Sequence, residues 1–99
     1  MKSQENLSEI ILDFMSIVST CLKETTYTND RINYERDLAY ASIWLIKLHN
    51  GENKKVVINE ILDIATSKFI YDVFKQGDWG NQEAAAFKNL QTKLTNLNS

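Results

Sequence analysis

Cys21 and His49 are the chain's single cysteine and single histidine, and they form the pair that could support nucleophilic chemistry. A thiol attacks only when a neighbouring base or positive charge helps it lose its proton, and His49 is the available imidazole. The two lie far apart in the chain, with no third group in view to orient the histidine. Cys21 also falls on an apolar helical stripe, where a cysteine ordinarily serves as a small buried hydrophobe with a raised pKa. His49 suits the carbonyl end of a helix, which favours a cation. The sequence therefore points away from a catalytic dyad, and no enzyme is expected.

Other chemistry meets the same shortage. Structural zinc needs several Cys or His ligands, and a helical di-iron site needs two Glu-x-x-His motifs, so neither a metal nor a cofactor is expected. The neighbouring carboxylates Glu35 with Asp37 and Glu60 with Asp63 could do acid–base work only in a cleft that perturbs them; the expectation is a solvated helix surface. There is no Gly-x-x-x-x-Gly-Lys phosphate loop. Gly51, Gly77 and Gly80 read as helix punctuation.

Two features suit recognition better than reaction. Glu5, Glu9 and Asp13 recur every fourth residue and stack as one negative row on a helix, each like-charge pair costing a few tenths of a kcal/mol. The plainer reading is that Glu5 and Glu9 complement the positive start of the helix while Asp13 stays solvated. The second feature is the turn Gly77, Asp78, Trp79, Gly80, preceded by Tyr71 and Asp72. Trp79 would be an anchor at an interface or, more plainly, a lid on one end of the core, with Asp78 capping the next helix.

Ninety-nine residues make one domain, residues 1–99, with room for one core. A composition of 43% hydrophobic and 24% charged residues is that of a globular chain. The formal net charge of −2 argues against a protein that binds the phosphate backbone of a nucleic acid directly. The acidity is concentrated early: Glu5, Glu9, Asp13, Glu24 and Asp30 face only Lys2 and Lys23 in the first thirty residues. One cysteine excludes an internal disulfide. No secretory signal is evident, and no apolar run approaches the roughly 20 residues that a membrane span needs, so a cytoplasmic location is expected.

Four helices would position these residues. Asn6 with Glu9 resembles a capping box for the first, whose stripe is Leu7, Ile10, Ile11, Phe14, Ile17, Val18, Cys21 and Leu22 and which should end near Glu24. The second, capped by Thr28 or Asn29 and stapled by Tyr27 on Ile32, is central. Its stripe is Tyr34, Leu38, Ala41, Leu45 and Leu48, widened by Trp44, and it stops at His49, Asn50 and Gly51. Asn53 caps a third, which carries Val57, Ile58, Ile61, Leu62, Ile64 and Ala65. Its β-branched run at residues 56–58 has no second strand to pair with, and Thr66 and Ser67 predict that it bends or divides. The fourth, capped by Asp78 or Asn81, presents Phe87, Leu90, Leu94 and Leu97. The expected fold is all-α, a compact antiparallel bundle of four helical segments.

In size, helical class and mild acidity the chain resembles bacterial immunity proteins and antitoxins, which neutralise a toxin, often a basic nuclease, by occupying its surface. It carries no diagnostic motif of such a family, so no family residues transfer onto it. The resemblance implies a cytoplasmic inhibitor that forms a stoichiometric complex with a protein partner. The expected contacts are Glu5, Glu9, Asp13, Tyr71, Asp72, Asp78 and Trp79. The alternative is a self-associating scaffold domain, a homodimer that buries apolar surface against its own copy.

Overall fold

A computed structural model describes the backbone of residues 6–75 and 81–98, and the side chains of residues 6–66 and 82–97. Four helices follow in order: α1 Leu7–Glu24, α2 Thr28–His49, α3 Lys54–Lys75 and α4 Asn81–Asn98. Helices of 18 to 22 residues should measure about 27 to 33 Å, and the molecule extends 40 × 26 × 22 Å. The fold is an all-α bundle. Helix α1 packs closely on α2 and α4, α3 packs closely on α4, and the α2–α3 seam is the sparsest of the four.

Helix α1 starts with a complete capping box. The Asn6 side chain accepts the Glu9 N–H at 2.8 Å, and Glu9 Oε1 accepts the Asn6 N–H at 3.0 Å. Two amides that would otherwise lack partners at the helix start are satisfied in this way. The buried face is the expected stripe, with Leu7, Ile10, Ile11, Phe14, Val18 and Cys21 inside and Ile17 and Leu22 half-buried against them. Phe14 is the aromatic hub: its ring lies 6.1 Å from Trp44 of α2 and 4.9 Å from Phe87 of α4. Helix α4 contributes Phe87, Leu90 and Leu94 to the core, with Leu97 half-buried.

Helix α2 departs from expectation in three ways. It is capped by neither Thr28 nor Asn29: Tyr27 is the capping residue, without a side-chain hydrogen bond. Thr25 organises the connection instead, accepting the Tyr27 N–H at 3.3 Å and donating to Asp30 at 3.5 Å. No staple forms, since Tyr27 is 69% exposed and Ile32 48%. With the cap at Tyr27, the staple positions fall on Thr26 and Arg31, and neither is apolar.

The third departure is a rotation of the buried face. Tyr34 and Ala41 are inside as expected, but Leu38, Leu45 and Leu48 are only half-buried. The innermost line is Asp30, Tyr34, Asp37, Ala41 and Trp44. Trp44, 1% exposed and stacked on Tyr40 at 6.3 Å, turns the helix toward its own side. That rotation carries Asp37, expected on a solvated surface, to 0% exposure.

The α2–α3 turn is a two-bond helix stop. Gly51 N–H donates to Leu48 O, Glu52 N–H donates to Lys47 O, and Gly51 adopts φ 89°. The Asn53 side chain then accepts the Lys55 N–H at 2.8 Å and opens α3. Residues 56–64 are helical, with Val57, Ile58, Ile61 and Ala65 buried. Helix α3 runs on without a division at Thr66 and Ser67.

Candidate functional site

Helices α1 and α4 run antiparallel, and each presents an edge with four-three-four spacing. On α1 the edge is Asp13, Ile17, Thr20 and Glu24; on α4 it is Gln82, Ala86, Asn89 and Lys93. At one end the edges are joined by an ion pair from Lys93 Nζ to Asp13 Oδ2 at 3.1 Å. Beyond it they part around a cleft of about 480 Å³ lined by Ser16, Ile17, Thr20, Cys21 and Glu24 of α1 and Gln82, Ala85, Ala86 and Asn89 of α4. The cleft exists because small residues face each other there. Helix axes pack roughly 8 to 10 Å apart, and alanine, serine and threonine cannot fill the space between such backbones.

Its walls divide by chemistry. Ile17, Cys21, Ala85 and Ala86 form an apolar floor, and Ser16, Gln82 and Asn89 bring polar groups to the margin. The Thr20 hydroxyl is engaged within its own helix, donating to Ser16 O at 3.1 Å. Glu24, exposed at the end opposite the Asp13–Lys93 pair, is the charged residue among the described lining.

Behind the floor, the Tyr34 hydroxyl donates to the Cys21 thiol. Burial pushes the thiol above its ordinary value, and the negative charges of Glu24 and Glu83 add to that; the Tyr34 hydrogen bond pulls the other way. Tyr34 itself is pushed up to about 12, first by burial and then by Cys21, Asp30 and Glu83. Both groups are neutral at physiological pH, so Cys21 is a packed thiol and not an activated nucleophile. His49 is exposed at the far end of α2, about 22 Å of helix beyond Tyr34. The structure does not bring it to Cys21. Among the described residues, no group of three or more His, Cys, Asp or Glu side chains is placed to hold a metal ion.

The expected recognition residues are unevenly placed. Glu9 and Asp13 lie on the α4 side of α1, continuing the cleft edge, and each has a local role, one in the capping box and one in the ion pair. Glu5, Asp78 and Trp79 lie outside the described residues, as do the side chains of Tyr71 and Asp72 on α3. Sequence reasoning missed Glu24 and the α4 wall. Their signal was the matched four-three-four spacing of the two edges, which becomes visible only once α1 and α4 are known to be neighbours.

Two further features lie outside the cleft. Glu83, in the first turn of α4, is 1% exposed and part of the packed interior. On α2 an outward line at four-three-four-three spacing consists of Ile32, Arg36, Ala39, Ile43 and Ile46, with the three isoleucines 48%, 47% and 58% exposed. Comparison with protein families, with characterised proteins and with solved structures found no match.

Proposed function

We propose that the chain is a non-enzymatic binding domain of the immunity or antitoxin kind, a cytoplasmic inhibitor that neutralises a toxin by stoichiometric complex formation. The observation that carries this reading is the α1–α4 face. There an apolar cleft opens beside an edge that bears Glu9, Asp13 and Glu24. An apolar depression with a charged margin is the surface anatomy of a protein interface, and a negative margin speeds encounter with a basic partner. Among the described residues, no helix is long and apolar enough to cross a membrane.

The test is capture with the intact protein from its native cell, followed by titration of any recovered protein. A basic partner that binds one to one, with a rate that falls as salt rises, is the expected result. Recovery of no stoichiometric protein partner sinks the reading.

A second reading, self-association as a scaffold domain, is favoured by the exposed isoleucine line of α2. It is not supported by the α4 stripe, because Phe87, Leu90 and Leu94 are already spent in the core.

A further inference from the structure

The cleft combines an apolar wall with a single kind of charge. Its floor of Ile17, Ala85 and Ala86 is apolar, the described lining includes a carboxylate and no lysine or arginine, and the Asp13–Lys93 pair joins the helices at the end away from Glu24. An occupant that complements these walls is apolar along its length and positively charged at its tip. An acidic tip would meet Glu24.

We propose that the α1–α4 cleft seats a basic side chain of the partner protein, its methylene stem on Ile17, Ala85 and Ala86 and its cationic head against Glu24. This rests on the protein-binding reading and names the group that the partner inserts. Long basic side chains lay their stems on apolar surface while the head stays beside water, and the Glu24 end of the cleft allows both at once. Glu24 makes no ion pair with another described residue, so its carboxylate is available to the head group. Lys93, at the opposite end, is held by Asp13 and does not face it.

The experiment needs no partner. The full chain is titrated with N-acetyl-arginine amide and, separately, with N-acetyl-norleucine amide, while backbone amide shifts are followed by NMR. The expected result is millimolar binding of the arginine probe, with shifts concentrated at residues 16–24 and 82–89, and little response to norleucine. Glu24→Gln should weaken the arginine probe about threefold, as loss of an exposed ion pair would. Ala85→Leu, at an exposed position, should fill the cleft and abolish the response. Equal binding of both probes, or arginine shifts spread over the acidic surface away from the cleft, overturns the proposal. Such a failure leaves the capture experiment untouched, so the two readings fail separately.

Discussion

Cys21 and Tyr34 show how a residue's neighbours decide its chemistry. Both hold their protons more tightly in the folded chain than in the unfolded one. The stability they contribute is therefore fully present below their unfolded values, near 9.0 for the thiol and 10.0 for the phenol, and is lost as pH rises through the folded values, about 12 for Tyr34. The melting temperature should fall steeply between pH 9 and pH 12, and Tyr34→Phe should flatten the upper part of that decline. An unchanged profile in the variant would show that another group titrates there. By the same argument a thiol reagent should modify Cys21 slowly at neutral pH in native protein and quickly in denaturant. The burial of Cys21 was legible in the sequence, because Phe14, Val18 and Cys21 share a stripe. Its phenol partner was not, because Tyr34 reaches it only through the register of α1 on α2.

The helices differ in how much of their own fate they encode. Helix α1 is explicit at both ends and along its stripe, because Asn6 and Glu9 are local partners and its apolar side is unbroken. Asn6→Ala should cost about 0.5 to 2 kcal/mol in chemical denaturation, whereas Glu9→Gln should cost less, since glutamine can fill the same reciprocal position. The stop after α2 is equally local. Nothing lies within 4 Å of a side chain built on Gly51, so Gly51→Ala meets no clash. It should nevertheless destabilise by about 1 kcal/mol, through its φ of 89° alone. A neutral effect would mean that the turn relaxes freely. The face of α2 was harder to read because spacing alone supports two adjacent stripes. Leucine spacing favours Leu38 and Leu45, and the indole of Trp44, wedged on Phe14, decides for its own side and buries Asp37. At Thr66 and Ser67 the polar residues fall within a helix that is not divided. Polar residues mark a helix end only when the backbone needs a cap there.

At the scale of the whole molecule, the described residues include two distinct surfaces: the cleft on the α1–α4 side and the isoleucine line on the outer side of α2. That line sits near Lys47, which bridges to Glu60 of α3 at 2.8 Å, so it borders the sparse α2–α3 seam and lies away from the cleft. From Ile32 to Ile46 it spans about 21 Å of one helix. A single helix paired with its copy over that length buries well under the roughly 1,200 Å² at which stable interfaces begin. The line is also centred on Ala39, with Ile32 and Ile46 seven residues to either side, so an antiparallel copy would place each of these isoleucines opposite the other. Weak, concentration-dependent pairing is the expectation. Sedimentation should show a monomer at micromolar concentration and a reversible dimer near millimolar. The double variant Ile43→Glu, Ile46→Glu should remove the dimer while keeping stability within about 1 kcal/mol, because exposed positions cost little when changed. The same variant should bind a cleft-directed partner as well as the native chain does. A dimer that survives both glutamates, or a partner lost with them, would mean that the two surfaces have been assigned the wrong way round.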